Sequence, residues 1–152
     1  LMMNSEIVTA VQEGLKPIII VVDNHGFQSI HSLQRSQGSP TFGLELRYRE
    51  ENSRYDGPVI PVDYAMHGQA MGARAWTAHT ESEFKAALAA AKKADRISVI
   101  HVFVDPEKRV GGFESWWDAP PAEISGQKGV QEARATYDEN IKKHRPYLKV
   151  TK

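Results

Sequence analysis

Hydrophobic and polar positions follow two different spacings in the first part of the chain. Apolar residues recur on one helical face over residues 4–14, and Gly14 can end that helix. Pro17 then precedes the continuous β-branched run 18–22, which predicts a buried strand. The tetrapeptide at 23–26, Asp-Asn-His-Gly, consists of residues that favour tight turns. The pattern therefore predicts a helix, a strand and a turn in that order.

The rest of the chain repeats this alternation around two irregular stretches. Periodicity is lost over 38–61 and again over 107–129, where Gly, Pro, Ser and polar residues are frequent. Elsewhere the spacing predicts a helix beginning at Phe27, a helix over Tyr64–Ala73 capped by Asp63, a strand over Ala75–Ala78, a helix from the capping box at Thr80 to Ala94, a strand over Ile97–Val104, and a last helix over 130–144.

Helices that alternate with short apolar strands favour one fold class. They predict an α/β fold with a doubly wound, mostly parallel sheet and helices on both faces, with 18–22 and 97–104 as central strands. We expect one domain over 1–152, in which 107–152 form a C-terminal arm and helix. Ligands in such sheets bind at the carboxyl ends of strands, and the turn at 23–26 follows one of them.

Composition excludes several classes of function. The chain has 152 residues, with 19 basic and 19 acidic side chains and a formal net charge of zero. A neutral chain has no long-range field that attracts nucleic acid or an anionic membrane, so we expect neither partner. No apolar run has the length of a membrane span, and there is no cysteine for disulfides or thiolate metal sites. These features are typical of a cytoplasmic protein.

The turn at 23–26 carries the clearest candidate chemistry. Magnesium prefers oxygen ligands, and the Asn24 side chain and the Gly26 carbonyl could supply two of them from one turn. Gly26 would let the backbone turn freely, and a helix starting at Phe27 would present its N-terminus to a phosphate. The alternative is a plain strand-to-helix turn, because the same residue types are common there. The residues alone favour that alternative.

Other polar residues give weaker signals. The six histidines lack zinc-ligand spacing, and His101 is expected to be a hydrogen-bonded core or strand-edge residue. Arg47 and Arg49 alternate with apolar residues in the long connection, so they could present two cations on one face. The alternative is that both are solvated loop charges. The residues alone identify no catalytic side chain.

Three segments together resemble the thiamine-diphosphate fingerprint, namely 2–7, 18–22 and 23–27. That fingerprint is Gly-Asp-Gly, a spacer, a hydrophobic strand and Asn-Asn, and it grips the cofactor diphosphate through magnesium. The resemblance implies that Asn24 and the Gly26 carbonyl are metal ligands, and that Asp23, His25 and Phe27 also belong to the cofactor site. Asp23 stands where the family has its first Asn. The Gly-Asp-Gly is absent, and by family spacing it would precede Leu1, so we expect the chain to be truncated at its N-terminus.

Within the acetolactate-synthase-like superfamily, the chain is most similar to the trihydroxycyclohexanedione hydrolases of myo-inositol catabolism. The similarity lies in Asp23–Phe27, Glu45–Arg49, Trp116–Asp118, Gln131–Arg134 and Arg145–Leu148. It implies a thiamine-diphosphate- and magnesium-dependent hydrolase that opens a cyclic diketone to 5-deoxy-glucuronate. Arg47 and Arg49 are the candidate substrate contacts.

The same resemblance carries expectations about partners. The family's activating glutamate comes from a pyrimidine-binding domain, commonly on a neighbouring subunit, which implies a homo-oligomer. We therefore expect the chain alone to be inactive and to bind cofactor weakly. Two alternatives stay open at this point. One is a carboligase or 2-oxoacid decarboxylase domain, and the other is a non-catalytic α/β binding module.

Overall fold

The structure, a computed structural model, describes residues 3–108 and 119–144. Its contacts divide the chain into two compact units, Leu1–Gly26 with Pro58–Arg109, and Phe27–Gly57 with Val110–Lys152. Among the described residues, no helix is long and apolar enough to cross a membrane. The elements in chain order are α1 (Glu6–Gln12), β1 (Ile18–Asp23), α2 (Gln28–Ser36), α3 (Tyr64–Ala70), β2 (Arg74–Ala78), α4 (Glu81–Ala91), β3 (Ser98–Phe103) and α5 (Lys128–Ile141).

The first unit is built on a parallel sheet of three described strands in the order β1-β3-β2. The prediction of a central strand is confirmed for β3, whose first four residues are fully buried. It is wrong for β1, which is an edge strand of this sheet with Ile19, Ile20 and Val22 exposed. A β-branched run indicates a strand, but it does not indicate how many neighbours that strand has.

Helices cover both faces of the sheet, as the doubly wound prediction requires. On one face, Ile7 and Ala10 of α1 pack with Ala73, Ile97 and Val99. On the other face, two alanines of α4 pack against the fully buried Ile100, with Trp76 and Leu88 at the margin. Successive residues of β3 therefore point into different cores, as the period of two dictates. The predicted mixed α/β fold is confirmed.

Capping signals in the sequence locate two helix starts correctly. The Asp63 carboxylate accepts a hydrogen bond from the Met66 amide at 2.8 Å. Thr80 and Glu83 form a reciprocal capping box at the start of α4. The hydrogen bond from the His79 amide is the main reason that the pKa of Glu83 lies below its ordinary value. The other ends of these helices are less well predicted, because α3 stops at Ala70 and α4 at Ala91.

Gly68 and Gly72, four residues apart in the sequence, serve different purposes. A Cβ on Gly68 would lie 2.7 Å from a methyl group of Val99, so α3 packs on β3 at a distance that only glycine permits. Gly72 lies beyond the end of α3 and has φ +95°, a conformation that ends a helix.

The second unit contains α2, the connection that follows it, and α5. Gln28 and His31 are the buried residues of α2, and Val130 is the buried residue of α5. Gly38 has φ +70°, and a Cβ there would overlap the carbonyl of Gly129. The two backbones approach so closely that neither position has space for a side chain.

Candidate functional site

The three parallel strands end at one edge of the first unit, and a cavity of about 450 Å³ lies there. β1 contributes its last residue, Asp23, and β3 contributes its last residue, Phe103. His79 follows the end of β2, and the segment that leads into α3 closes another side. The lining residues are Asp23, His25, Val59, Ile60, Pro61, Val62, Asp63, Thr77, His79, His101 and Phe103.

The turn after β1 is held by the side chain of Asp23, which is only 7% exposed. Its Oδ1 accepts a hydrogen bond from the His25 amide at 2.8 Å, as in an Asx turn. His25 has φ 62°, in the left-handed region. Gly26 is not among the described glycines with positive φ. The left-handed residue of this turn is therefore His25.

The other oxygen of Asp23 contacts a residue far away in sequence. Oδ2 lies 2.9 Å from Nε2 of His101, whose side chain is 1% exposed. The prediction that His101 is a buried, hydrogen-bonded residue is confirmed. Its connection to the turn was missed in the sequence. The available signal was an imidazole within the most apolar strand, which needs a polar partner when it is buried.

Aromatic rings surround this pair. The rings of Phe103 and His79 are stacked, with centroids 4.5 Å apart, and the His101 ring lies 4.2 Å from Phe103. The rings of Tyr64 and His101 are nearly perpendicular, with centroids 5.1 Å apart. Burial, and then the negative charge of Asp23, raises the pKa of the Tyr64 hydroxyl. The wall beneath the cavity is thus made of packed rings, and Asp23 supplies negative charge there.

The remaining predicted cofactor residues lie in or directly after the turn. Asn24 and Gly26 are partly buried, while Phe27 is exposed and begins the second unit. Phe27 is the residue that precedes α2, and no side chain caps that helix. The first turn of α2 contains no acidic residue. The Glu45 carboxylate nevertheless lies beside this helix start, because it accepts a hydrogen bond from the Gln28 side chain at 3.2 Å.

Arg47 and Arg49, the predicted substrate residues, lie in the connection of the second unit. Arg47 bonds Glu45 at 2.9 Å and the Gly57 carbonyl at 3.1 Å, and Arg49 covers the Tyr55 ring. Burial raises the pKa of Glu45, but hydrogen bonds, foremost that of Arg47, outweigh burial and lower it. Only Arg47 lines a polar cavity of about 390 Å³, whose described lining is Thr41, Phe42, Glu45, Arg47, Arg54, Tyr55 and Asp56. Trp116–Asp118 and Arg145–Leu148 lie outside the described residues.

Most of the chain matches a known protein family. Residues 1–102 match the family described as the thiamine pyrophosphate enzyme, C-terminal TPP binding domain. The chain belongs to this family. Thiamine pyrophosphate is another name for thiamine diphosphate, so the cofactor and the fold implied by the fingerprint are both confirmed. Membership does not favour the alternative of a non-catalytic module.

Several relatives of this TPP-binding domain share one name. It is 38% identical over 148 residues to a 3D-(3,5/4)-trihydroxycyclohexane-1,2-dione hydrolase of Geobacillus thermodenitrificans. It is 37% identical over 147 residues to the protein of the same name from Clostridium perfringens. Each alignment covers 97% of this chain and 23% of the relative. The chain therefore spans about a quarter of the length of these relatives.

A solved structure supports the fold of the TPP-binding domain. The benzoylformate decarboxylase of Polynucleobacter necessarius superposes with a TM-score of 0.59 at 23% sequence identity. The superposition covers 71% of this chain and 18% of the decarboxylase. At this level of identity the likeness concerns the fold alone.

The donor set of the turn fits a magnesium ion that is shared with a diphosphate. Asn24 and the Gly26 backbone offer hard amide oxygens, the type of ligand that magnesium prefers. Among the described residues, no group of three His, Cys, Asp or Glu side chains could hold a metal ion. Magnesium is usually bound by few protein ligands together with phosphate oxygens and water. The residues present are therefore suited to one side of a magnesium diphosphate, and not to a metal site made of protein alone.

Proposed function

We propose that this domain holds the diphosphate and magnesium of thiamine diphosphate in a hydrolase that opens a trihydroxycyclohexane-1,2-dione ring. The product is 5-deoxy-glucuronate, in myo-inositol catabolism. The observation that carries the proposal is the similarity to relatives named as this hydrolase, which extends over 97% of the chain. Such an alignment includes both the turn at 23–26 and the connection that contains Arg47 and Arg49.

In this proposal the turn after β1 is the metal-binding segment. The Asn24 side-chain oxygen and the Gly26 carbonyl oxygen coordinate magnesium, and Asp23 and His25 fix the turn between them. Support comes from the Asp23 hydrogen bond to the His25 amide, which restrains the backbone between the two ligands. Phe27 directly follows this turn in the sequence and is the residue that precedes α2.

When bound, thiamine diphosphate would supply a nucleophilic carbon and an electron sink for cleavage of the bond between the two adjacent carbonyl carbons, and the water consumed would supply the oxygen of the acid product. The residues of this chain bind and orient the cofactor. The stacked rings of Phe103 and His79 line the cavity at the strand ends. The glutamate that protonates the cofactor is proposed to come from a pyrimidine-binding domain of a neighbouring subunit. The enzyme would then be a cytoplasmic homo-oligomer, and this chain alone would be inactive.

The proposal assigns substrate recognition to Arg47 and Arg49. Arg47 and Glu45 place a cation and an anion side by side in a polar cavity, an arrangement that suits a polyhydroxylated ketone with both donors and acceptors. Arg49 instead contacts Tyr55 and the Ser53 carbonyl at 3.1 Å. The support is therefore stronger for Arg47 than for Arg49.

The reaction is tested with the full-length protein, thiamine diphosphate, magnesium and the cyclic dione, with product mass followed over time. We expect one product heavier than the substrate by one water, and none when the cofactor is omitted. Pyruvate is the matched alternative substrate. The proposal is wrong if the dione is not consumed while pyruvate is decarboxylated or carboligated. The protein would then be a carboligase or a 2-oxoacid decarboxylase.

A further inference from the structure

The buried pair of Asp23 and His101 connects the metal-binding turn to the central strand. We infer that His101 is a positioning residue for the magnesium-diphosphate turn and that it acts through the carboxylate of Asp23. This inference rests on the proposed function of Asn24 and Gly26. His101 itself contacts neither of these two residues through any hydrogen bond the structure shows, so its effect on the metal site has to be indirect.

The carboxylate of Asp23 is fixed at two points. Oδ1 accepts from the His25 amide at 2.8 Å, and Oδ2 lies 2.9 Å from His101 Nε2. With both oxygens bonded, the carboxylate cannot rotate away from the turn. The left-handed conformation is costly for a residue with a Cβ. The hydrogen bond that Asp23 accepts from the His25 amide compensates part of that cost. The direction of the peptide groups between Asn24 and Gly26 follows from this conformation.

His101 is well placed to hold that carboxylate. It lies on β3 opposite Val21, two residues before Asp23, and its ring is confined by Tyr64 and Phe103. An ionised carboxylate only accepts hydrogen bonds, so Nε2 of His101 carries the proton in this contact. Because the His101 ring is confined on the central strand, its N–H group holds the Asp23 carboxylate, and with it the turn, in one position.

This arrangement predicts a specific pattern among variants. His101→Leu removes the donor to Oδ2 and leaves the buried carboxylate held only through Oδ1 by His25, so thiamine diphosphate should bind about tenfold more weakly. His101→Gln keeps an N–H donor and should retain most of the affinity. Adding Asp23→Asn to His101→Leu removes the buried unpaired charge and should restore part of the loss. At saturating cofactor, kcat should change less than the affinity for the cofactor.

The matched control is Ile100→Ala. Ile100 is the fully buried neighbour of His101 on β3, but it packs against α4 on the other face of the sheet. This variant should lower the unfolding temperature of the full-length protein at least as much as His101→Leu does. Its affinity for cofactor should stay at the wild-type value, because it does not touch the turn.

The experiment measures binding of thiamine diphosphate with magnesium by titration calorimetry, and backbone hydrogen exchange of the cofactor-free full-length protein by mass spectrometry. We expect His101→Leu to weaken binding and to speed exchange in the peptide spanning 23–27, whereas Ile100→Ala changes neither. Equal binding and equal exchange in His101→Leu and wild type would overturn the inference while leaving the proposed function intact. Absence of binding by the wild-type protein would instead overturn the proposed function, and the positioning role with it.

Discussion

Replacing Asn24 by alanine in the full-length enzyme is expected to weaken binding of thiamine diphosphate in magnesium by about 100-fold. Loss of residues that merely orient a metal ligand costs about 10- to 100-fold in affinity, and loss of a direct ligand should reach at least the upper end of that range. The protein should stay folded, because Asn24 follows the end of β1 and is only partly buried. Titration calorimetry at fixed magnesium measures the affinity.

Asn140→Ala is the control for this prediction. Asn140 is a partly buried asparagine of α5 that accepts a hydrogen bond from Lys143, and it has no proposed role at the turn. Its variant should bind cofactor as the wild type does. If Asn24→Ala also retains wild-type affinity, the assignment of Asn24 as a metal ligand is wrong.

Gly68→Val is expected to reduce the free energy of unfolding by about 3 kcal/mol, the upper part of the range for an overpacked core. A Cβ at this position already lies 2.7 Å and 2.9 Å from Val99 side-chain atoms. Val99 is itself buried on the central strand, so it cannot move aside without disturbing its own core. Denaturant unfolding followed by circular dichroism should show the lower midpoint.

Gly126→Val provides the comparison, because a Cβ at Gly126 meets no atom within 4 Å and that residue has an ordinary φ. It should change the unfolding midpoint little. Equal midpoints for Gly68→Val and Gly126→Val would show that α3 does not depend on close contact with β3.

Local signals in the sequence were sufficient for most of the fold. The Asp63 cap, the Thr80–Glu83 capping box and the apolar run of β3 each depend on neighbours within a few residues. Such short-range patterns have a physical cause that a sequence displays directly. The edge position of β1 depends instead on the order of strands in space, which hydrophobicity does not encode.

In the candidate site, too, local features were predicted and long-range contacts were missed. The turn residues were predicted because they are adjacent in sequence and resemble a family motif. The contact of Asp23 with His101 joins residues 78 positions apart, and only the pairing of β1 with β3 brings them together. The left-handed conformation of His25 was missed because glycine is the usual left-handed residue, while here the hydrogen bond that Asp23 accepts from the His25 amide supports histidine in that conformation.

The partners of Arg47 and Arg49 could not be predicted for a different reason. Their alternation in sequence suggested two cations on one face, but Arg47 pairs with Glu45 and Arg49 stacks on Tyr55. These partners lie within the same connection, so the fold of an irregular segment decides which charges are satisfied internally. Sequence spacing has little predictive power there, because no regular period fixes where the side chains point.

The most direct test of the proposed site is a crystal structure of the full-length protein with thiamine diphosphate and magnesium, with manganese used to locate the metal by anomalous scattering. We expect one metal ion on the diphosphate, with the Asn24 side-chain oxygen and the Gly26 carbonyl oxygen each about 2.1 Å from magnesium. A cofactor bound with its metal on other residues, and with Asn24 and Gly26 outside the coordination sphere, would contradict it.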